Sequence, residues 1–274
     1  MAVEVKFWGT RGSIACASAQ HVIYGGNTSC IEVLLDDQPI ILDAGTGLRM
    51  LGKDFSRRHV RQGVLLLTHT HWDHVNGFPF FAPIYQPGWQ FRVLAGHLID
   101  IGGIKQALAS QMTTPMFPVP LQALRAEMLY QDFRIGETLS DLANGAVVKT
   151  AMLNHPNGAS GYRIEYAGRV VTYITDTEHV PGKPDRNVLG LMEGADLAIY
   201  DSTYTDDEYP ARVGWGHSTW QEAIRLGKMA GVKRLAIFHH DPDHTDEIMS
   251  KIEEEAHRTW DNALVARDGM VIAL

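Results

Sequence analysis

An α/β fold is predicted for this chain, and three observations predict it. Apolar, β-branched runs recur along the 274 residues, and several end abruptly on a His or an Asp. The runs are continuous rather than alternating, which reads as strands buried on both faces. Helix-start signatures and helical periodicity fall between them. Architectures of this kind gather strand-end side chains along one edge and place their sites there.

The elements follow in order. Pro39 to Gly45 reads P-I-I-L-D-A-G, and Val64 to His69 reads V-L-L-L-T-H. The stretch from Gly96 to Phe133 is expected to hold two helices broken at Pro115, Pro118 and Pro120, with Met112, Met116 and Phe117 facing a substrate or packing as a connection. Val147 to His155, Arg169 to Asp176 and Leu197 to Asp201 are three further strands. Ser218 and Gln221 form a capping-box pattern for a helix to about Ala230, stopped by Gly231. Arg234 to His240 reads R-L-A-I-F-H-H and is the last strand of this type. A helix after Thr245 places Ile248, Ile252, Ala256 and Trp260 on one face and leaves Glu253, Glu254 and Glu255 to solvent.

Composition bounds the function. With 45% hydrophobic and 20% charged residues the chain is neither disordered nor a small disulfide scaffold. Acidic residues outnumber basic ones 32 to 24, a balance unlike that of a backbone-gripping nucleic-acid binder. Cys16 and Cys30 form no C-x-x-C pair and read as reduced thiols. No signal peptide or membrane-length apolar run is visible, so a soluble, cytoplasmic protein without a membrane partner is expected. The unusual count is 13 histidines.

The densest part of that excess is His69-Thr70-His71-Trp72-Asp73-His74, directly after a buried strand. Four such groups cannot all enter an apolar core without a large desolvation cost. In extended chain His69 and His71 face the same way. After a turn, Asp73 and His74 can face a second point nearby. Imidazole and carboxylate in this density suit zinc, iron or manganese.

H-x-H-x-D-H after a hydrophobic strand resembles the signature of the metallo-β-lactamase-fold superfamily, and the likeness runs from F-W-G-T-R-G-S at Phe7 to the last helix. It implies an αββα sandwich of two mixed sheets flanked by helices, a single domain over residues 1–274. By the same resemblance His69, His71 and His155 would take one divalent metal and Asp73, His74 and His239 a second, with Asp176 bridging. The metals implied are two Zn2+, with Mn2+ or Fe2+ as alternatives. His239 and His240 are adjacent, and His239 is favoured as the last ligand by its place after the strand. Asp43 reads as support beneath the metals.

Two such metals would share and activate a water, so a hydrolase is expected. No G-x-S-x-G elbow supports a serine nucleophile, and His71 stands where the superfamily's diiron flavoproteins carry Glu. His217, in G-W-G-H-S-T before a capped helix, is expected to bind a phosphate oxygen or protonate the leaving oxygen. Asp201 would orient it, and with Asp73 these complete the catalytic set. The pairing is similar to that of the ribonuclease Z-like and cyclic-nucleotide phosphodiesterase branch, with Asp201 where Glu is usual. Because no long Gly/Lys-rich arm follows Asp176, and the net charge is −8, the expected partner is a small phosphodiester or nucleotide, cyclic nucleotides above all, and no long nucleic acid. Lactone, thioester or β-lactam hydrolysis and non-catalytic nucleotide binding are the alternatives, and a homodimer is implied by the resemblance alone. The loops Gly9 to Ser13 and Gly25 to Ser29 either contact phosphate or sugar or serve as turns, and His179 edges the pocket or meets solvent. His21, His59, His97, His244 and His257 show no pattern and read as structural or surface groups.

Overall fold

The computed structural model describes residues 2–274. Strands β1 (Val3–Gly9), β2 (Cys30–Leu35), β3 (Gln38–Leu42), β4 (Gln62–Leu67), β5 (Gln90–Ala95) and β6 (Glu127–Asp132) build the first sheet. Strands β7 (Thr138–Leu139), β8 (Val147–Leu153), β9 (Ala159–Tyr166), β10 (Arg169–Ile174), β11 (Leu197–Asp201), β12 (Leu235–Phe238) and β13 (Ala263–Val265) build the second. The last strand, β14 (Val271–Ala273), returns to pair with β1. The orders are β14-β1-β2-β3-β4-β5-β6 and β13-β12-β11-β10-β9-β8-β7. Each sheet mixes antiparallel pairs with parallel ones: β3 to β6 run parallel in the first, β10 to β13 in the second. Helices α1 (Leu48–Arg58), α2 (Trp72–Val75), α3 (Gly103–Gln111), α4 (Arg186–Met192), α5 (Trp220–Met229) and α6 (Asp246–Thr259) complete the chain's main elements.

Three apolar layers explain the stacking. Val5, Phe7, Ile40, Leu66, Tyr162 and Phe238 meet between the sheets. Leu51, Phe55, Ile104 and Leu108 seal the first sheet beneath α1 and α3, and Val188, Ala223, Ile224, Met249 and Ile252 seal the second beneath α4 to α6. This is the expected αββα sandwich. Central strands covered on both sides are continuously apolar: β11 and β12 are buried along their whole length. Strand β8 is the exception, alternating between buried and open positions because only one of its neighbours is long. Both cysteines are free. No helix among the described residues is long and apolar enough to cross a membrane.

Several local expectations need correction. The stretch from Gly96 to Phe133 holds one α-helix, α3, a single 3-10 turn at Leu121–Ala123 and then strand β6, because Glu127 to Asp132 finds a parallel partner in β5. The cap of α5 is Thr219, whose hydroxyl accepts from the Glu222 amide; Ser218 is turned instead toward His179 and Tyr200. On α6 the buried face is Met249, Ile252 and Ala256, and Ile248 is exposed. Glu253 is not simply solvated: it accepts from the Tyr24 hydroxyl at 2.6 Å and pairs with Arg267.

Candidate metal centre

The parallel strands of both sheets end at a common edge, and the turns after them carry the polar residues inward. Asp43 after β3, Asp176 after β10 and His239 after β12 all have positive φ, at 59°, 58° and 63°. A histidine in the left-handed region is uncommon, and such strain gathers at functional sites. Here it bends the chain off the strand and directs the side chain across the edge. His71 caps the short helix α2 in extended conformation, so the segment turns between His71 and Asp73 as its spacing suggested.

The expected ligand residues converge. Ligand atoms of His69, His71 and His155 lie within 4.8 Å of one another, as do those of Asp73, His74 and His239. Asp176 stands between the groups. Its Oδ1 is 3.6 Å from both His69 Nε2 and His155 Nε2, while its Oδ2 is 3.1 Å from His74 Nε2 and 3.4 Å from His239 Nε2. His239 Nε2 is also 3.3 Å from Asp73 Oδ2. His240 points the other way, to the Ala266 carbonyl at 2.8 Å, and burial pushes its imidazole down to about 3. His69, His74, Asp73, Asp176 and His239 are buried, and so is the His155 side chain, whereas His71 is partly open and marks the mouth.

The donor set fits divalent cations. His74 Nε2 and His239 Nε2 are 3.3 Å apart, and His155 Nε2 and His71 Nδ1 are 3.1 Å apart. Two imidazole nitrogens on one zinc, each at roughly 2.0–2.1 Å, stand a little over 3 Å apart. His69 Nε2 is buried and has no hydrogen-bond partner, an orphan that a cation would satisfy. The opposite ring nitrogens are tied off. His74 Nδ1 donates to Asp43 Oδ2 at 2.8 Å and His155 Nδ1 to the Gly216 carbonyl at 2.8 Å. Thr68 and Thr203 hydroxyls, which donate to Asp43 and Asp201, stand 3.0 and 3.1 Å from the Nδ1 atoms of His69 and His239. In His69, His74, His155 and His239 the outer ring nitrogen is thus engaged, which leaves the other for a cation at the centre.

The electrostatics divide the set: burial opposes charge on His74, but Asp176, Asp73 and Asp43 outweigh it and hold that imidazole well above its ordinary range. Burial holds the His69, His71 and His155 imidazoles below their ordinary range, so they are neutral donors. Burial opposes charge on Asp73 and Asp176, yet the surrounding imidazoles keep both carboxylates well below the usual range. Beside this cluster, His217 Nδ1 donates to Asp201 Oδ2 at 2.9 Å. Burial opposes charge on His217, but Asp201 outweighs it and pushes the imidazole up to about 9. The shorter aspartate reaches His217 without difficulty.

Other sequence candidates take structural places. Arg11 is fully buried and donates to the carbonyls of Gly25, Asp241 and His244, so the Gly9 to Ser13 loop holds the chain after β12 rather than a phosphate. Asn27 bonds Asp268. Gly12 lies against the His239 ring, where a Cβ would come within 2.4 Å. The Ser13 amide does reach the centre, donating to Asp73 Oδ2 at 2.7 Å. His179 stacks on Tyr209 and bonds Ser218, buried rather than edging the pocket. Of the unpatterned histidines, His97 is packed behind the motif and bonds Thr70, and His244 bonds Glu208. Residues that sequence reasoning missed are Thr68, Thr203, Tyr173 and Gly216. The two threonines each sit beside a singled-out residue, which was a usable signal; Tyr173, donating to Asp43 at 2.9 Å from the middle of a strand, gave none.

A two-sheet sandwich with a His/Asp cluster at its strand ends defines a metal-dependent hydrolase. Residues 38–240 match the beta-lactamase superfamily domain, and the chain belongs to that superfamily. A relative from Gemmatimonas aurantiaca named ribonuclease Z is 35% identical over an alignment of 324 residues that takes in 100% of this chain and 96% of the relative. Among solved structures, the metallo-beta-lactamase fold protein YhfI from Bacillus subtilis superimposes with a TM-score of 0.75 at 19% identity, over 100% of this chain and 99% of the other. Human tRNase Z, short form, superimposes with a TM-score of 0.68 at 18% identity, over 98% of each chain.

These relatives overturn the expectation that no long nucleic acid is a partner. Proteins matching nearly the whole chain carry the name ribonuclease Z, and a tRNase Z shares its fold. The physical error is plain. A net charge of −8 averages over the whole surface, whereas contact with a phosphate backbone is local. A missing arm removes one means of gripping RNA and leaves the site itself unchanged.

Proposed function

We propose that this chain is a dinuclear-metal phosphodiesterase that cleaves RNA. The observation that carries the reading is the His217–Asp201 pair set against the cluster, with His217 only 9% exposed and its Nδ1 held by a carboxylate. Such a pair leaves Nε2 free to give a proton to a departing alkoxide, the need of a phosphodiester with a ribose leaving group. A lactone or β-lactam has less use for a second acid of this kind. The full-length relative named ribonuclease Z supports the same substrate class.

His69, His71 and His155 would hold one cation, and Asp73, His74 and His239 the other, with the two oxygens of Asp176 directed one to each group. When bound, two divalent ions, Zn2+ by the predominance of imidazole donors, would lower the pKa of a water and neutralise charge on the phosphoryl oxygens. The chain's own residues do the rest. Ser13 N–H fixes Asp73 Oδ2, Asp43 and Asp201 fix the imidazoles, and His217 delivers the proton from Nε2. We place the activity in the reducing cytoplasm, where two free thiols persist.

A smaller phosphodiester is the second reading. Its support is that the alignment with the ribonuclease Z relative is 324 residues long against 274 in this chain, so the relative carries insertions that this chain lacks.

The test is a product assay with the full chain and Zn2+, Mn2+ or Fe2+, on a 3′-extended tRNA transcript, bis(p-nitrophenyl) phosphate, cyclic AMP and a lactone. Cleavage of the transcript is expected, with kcat falling about 10²–10⁴-fold in His217→Ala. Turnover of the lactone alone would sink the reading.

A further inference from the structure

Two exposed tryptophans adjoin the centre, and the chemistry above uses neither. Trp72 is 79% exposed and lies between His71 and Asp73. Trp215 is 59% exposed and precedes Gly216, whose carbonyl holds His155. Trp72 follows β4 of the first sheet and Trp215 lies between β11 and β12 of the second. Opposite halves of the fold thus each present an aromatic face beside the same cluster.

The surface at Trp72 is concave. Trp72, Thr70, Asn76, Phe80, Met116 and Phe117 line a cavity of about 590 Å³, within the range of small-ligand sites. Phe80 and Phe117 meet edge to face at 5.7 Å, and Phe80 and Met116 are 55% and 75% exposed. On the same wall Gln111 donates from Nε2 to the Val75 carbonyl at 2.9 Å, while its Oε1 is buried without a partner. At the other tryptophan the Arg212 guanidinium lies 4.9 Å from the Trp215 ring centroid. Among the described residues no carboxylate pairs with Arg212. The guanidinium thus lies over the indole and over the Tyr204 ring, 5.9 Å away, and such a cation–π group suits a base and its phosphate.

We propose that the Trp72 cavity and the Trp215–Arg212 surface are stacking platforms for unpaired nucleobases on either side of the bond that is cleaved. The inference rests on the phosphodiesterase reading and narrows it: a strand that is single at the cleavage point is favoured, because a paired base must first pay for unpairing and unstacking before it can lie on an indole. Lipid or a second copy of the chain would cover the same apolar groups, but neither carries a phosphodiester to the cluster that Trp72 and Trp215 adjoin.

The test is titration of the metal-loaded full chain with a short 2′-O-methyl oligouridylate whose central linkage is a methylphosphonate resistant to hydrolysis, followed by tryptophan fluorescence. Saturable quenching is expected. Trp72→Ala and Trp215→Ala should each weaken binding about 10-fold or more, with Trp72→Phe restoring most of the loss. An abasic strand of equal length should bind as weakly as the variants do, and a duplex of the same sequence more weakly than the single strand. Equal binding of the abasic strand, or unchanged binding by both alanine variants, would overturn the proposal. So would sedimentation showing a dimer that Trp72→Ala dissociates while strand binding stays intact. Because no bond is broken, the result is independent of turnover. Strand binding by the tryptophans without phosphodiester cleavage defeats the functional reading alone; cleavage without tryptophan dependence defeats this inference alone.

Discussion

The two halves of the molecule build their share of the centre by the same device. In the N-terminal half Asp43 holds His74 directly and His69 through the Thr68 hydroxyl. In the C-terminal half Asp201 holds His217 directly and His239 through the Thr203 hydroxyl. Each buried carboxylate thus fixes two imidazoles, one by contact and one by a threonine relay. The difference lies in what the directly held imidazole does next. His74 is fully buried and aims Nε2 at Asp176, Asp73 and His239, whereas His217, 9% exposed, stands 3.9 Å from Asp176 through its held Nδ1. The same carboxylate device thus serves both a proposed metal ligand and the proposed acid, so it cannot by itself tell the two roles apart.

The largest effect expected from this contrast is at the two carboxylates. Asp43 also accepts from the Tyr173 hydroxyl and the Thr68 amide, so Asp43→Asn orphans several buried donors at once. It should cost roughly 2–4 kcal/mol of stability and lower metal affinity about 100-fold. Asp201→Asn should instead act mainly on turnover, reducing kcat about 10²–10³-fold with a tenfold or smaller loss of metal. Metal content after dialysis against a graded chelator, read beside kcat, separates the two. Equal metal loss in both variants would break the distinction between a carboxylate serving two ligands and one serving a ligand and an acid.

The threonine relays come next. Thr68→Val and Thr203→Val keep shape and remove only the hydroxyl. Each should weaken metal binding about tenfold, since each leaves one ligating imidazole without its orienting partner. Competition against a fluorescent zinc chelator measures this directly. If Thr203→Val changes nothing, His239 is oriented by its backbone conformation, and the symmetry between the halves is only geometric.

How much of this was legible in the sequence follows from the same symmetry. The convergence of the proposed ligands could be read because they end apolar runs that must be strands, and strand ends of parallel sheets meet at an edge. The H-x-H-x-D-H segment needed only local geometry. What stayed hidden depends on pairing between distant strands. Tyr173 reaches Asp43 across the sandwich, and nothing in the run R-V-V-T-Y-I-T-D marks that tyrosine as different from its neighbours. Strand β6 was hidden for a related reason: E-M-L-Y-Q-D has little strand character of its own, and its pairing with β5 supplies the order. For the loops rich in Gly, Thr and Arg the sequence left ligand contact and turn formation both open, because their use, packing Arg11 against carbonyls and Gly12 against His239, lies in the tertiary structure. The partner expectation failed differently, because a global charge was asked to describe a local surface.

The smallest effect concerns a supporting imidazole that each half sets behind its site. His97 bonds Thr70 at 3.1 Å in the first, and His179 bonds Ser218 at 2.8 Å in the second. Burial pushes His97 down to about 4, with the nearby His71 adding to the shift, and burial lowers His179 as well. In the unfolded chain a histidine titrates near 6.5. Below that pH the unfolded state binds a proton that the folded state refuses, so stability falls as pH drops from about 6.5 toward 4 and levels off beneath. For His97 the loss should amount to about 1–2 kcal/mol by pH 4.5, after allowance for its partial exposure. His97→Gln, which can keep the bond to Thr70, should remove that share of the acid sensitivity and leave stability at pH 7.5 nearly unchanged. Urea midpoints of the two proteins between pH 7.5 and 4.5 provide the check, since metal release at acid pH affects both alike. Parallel curves would mean that His97 accepts its proton within the fold, and that the neutral support assigned to the N-terminal half is absent.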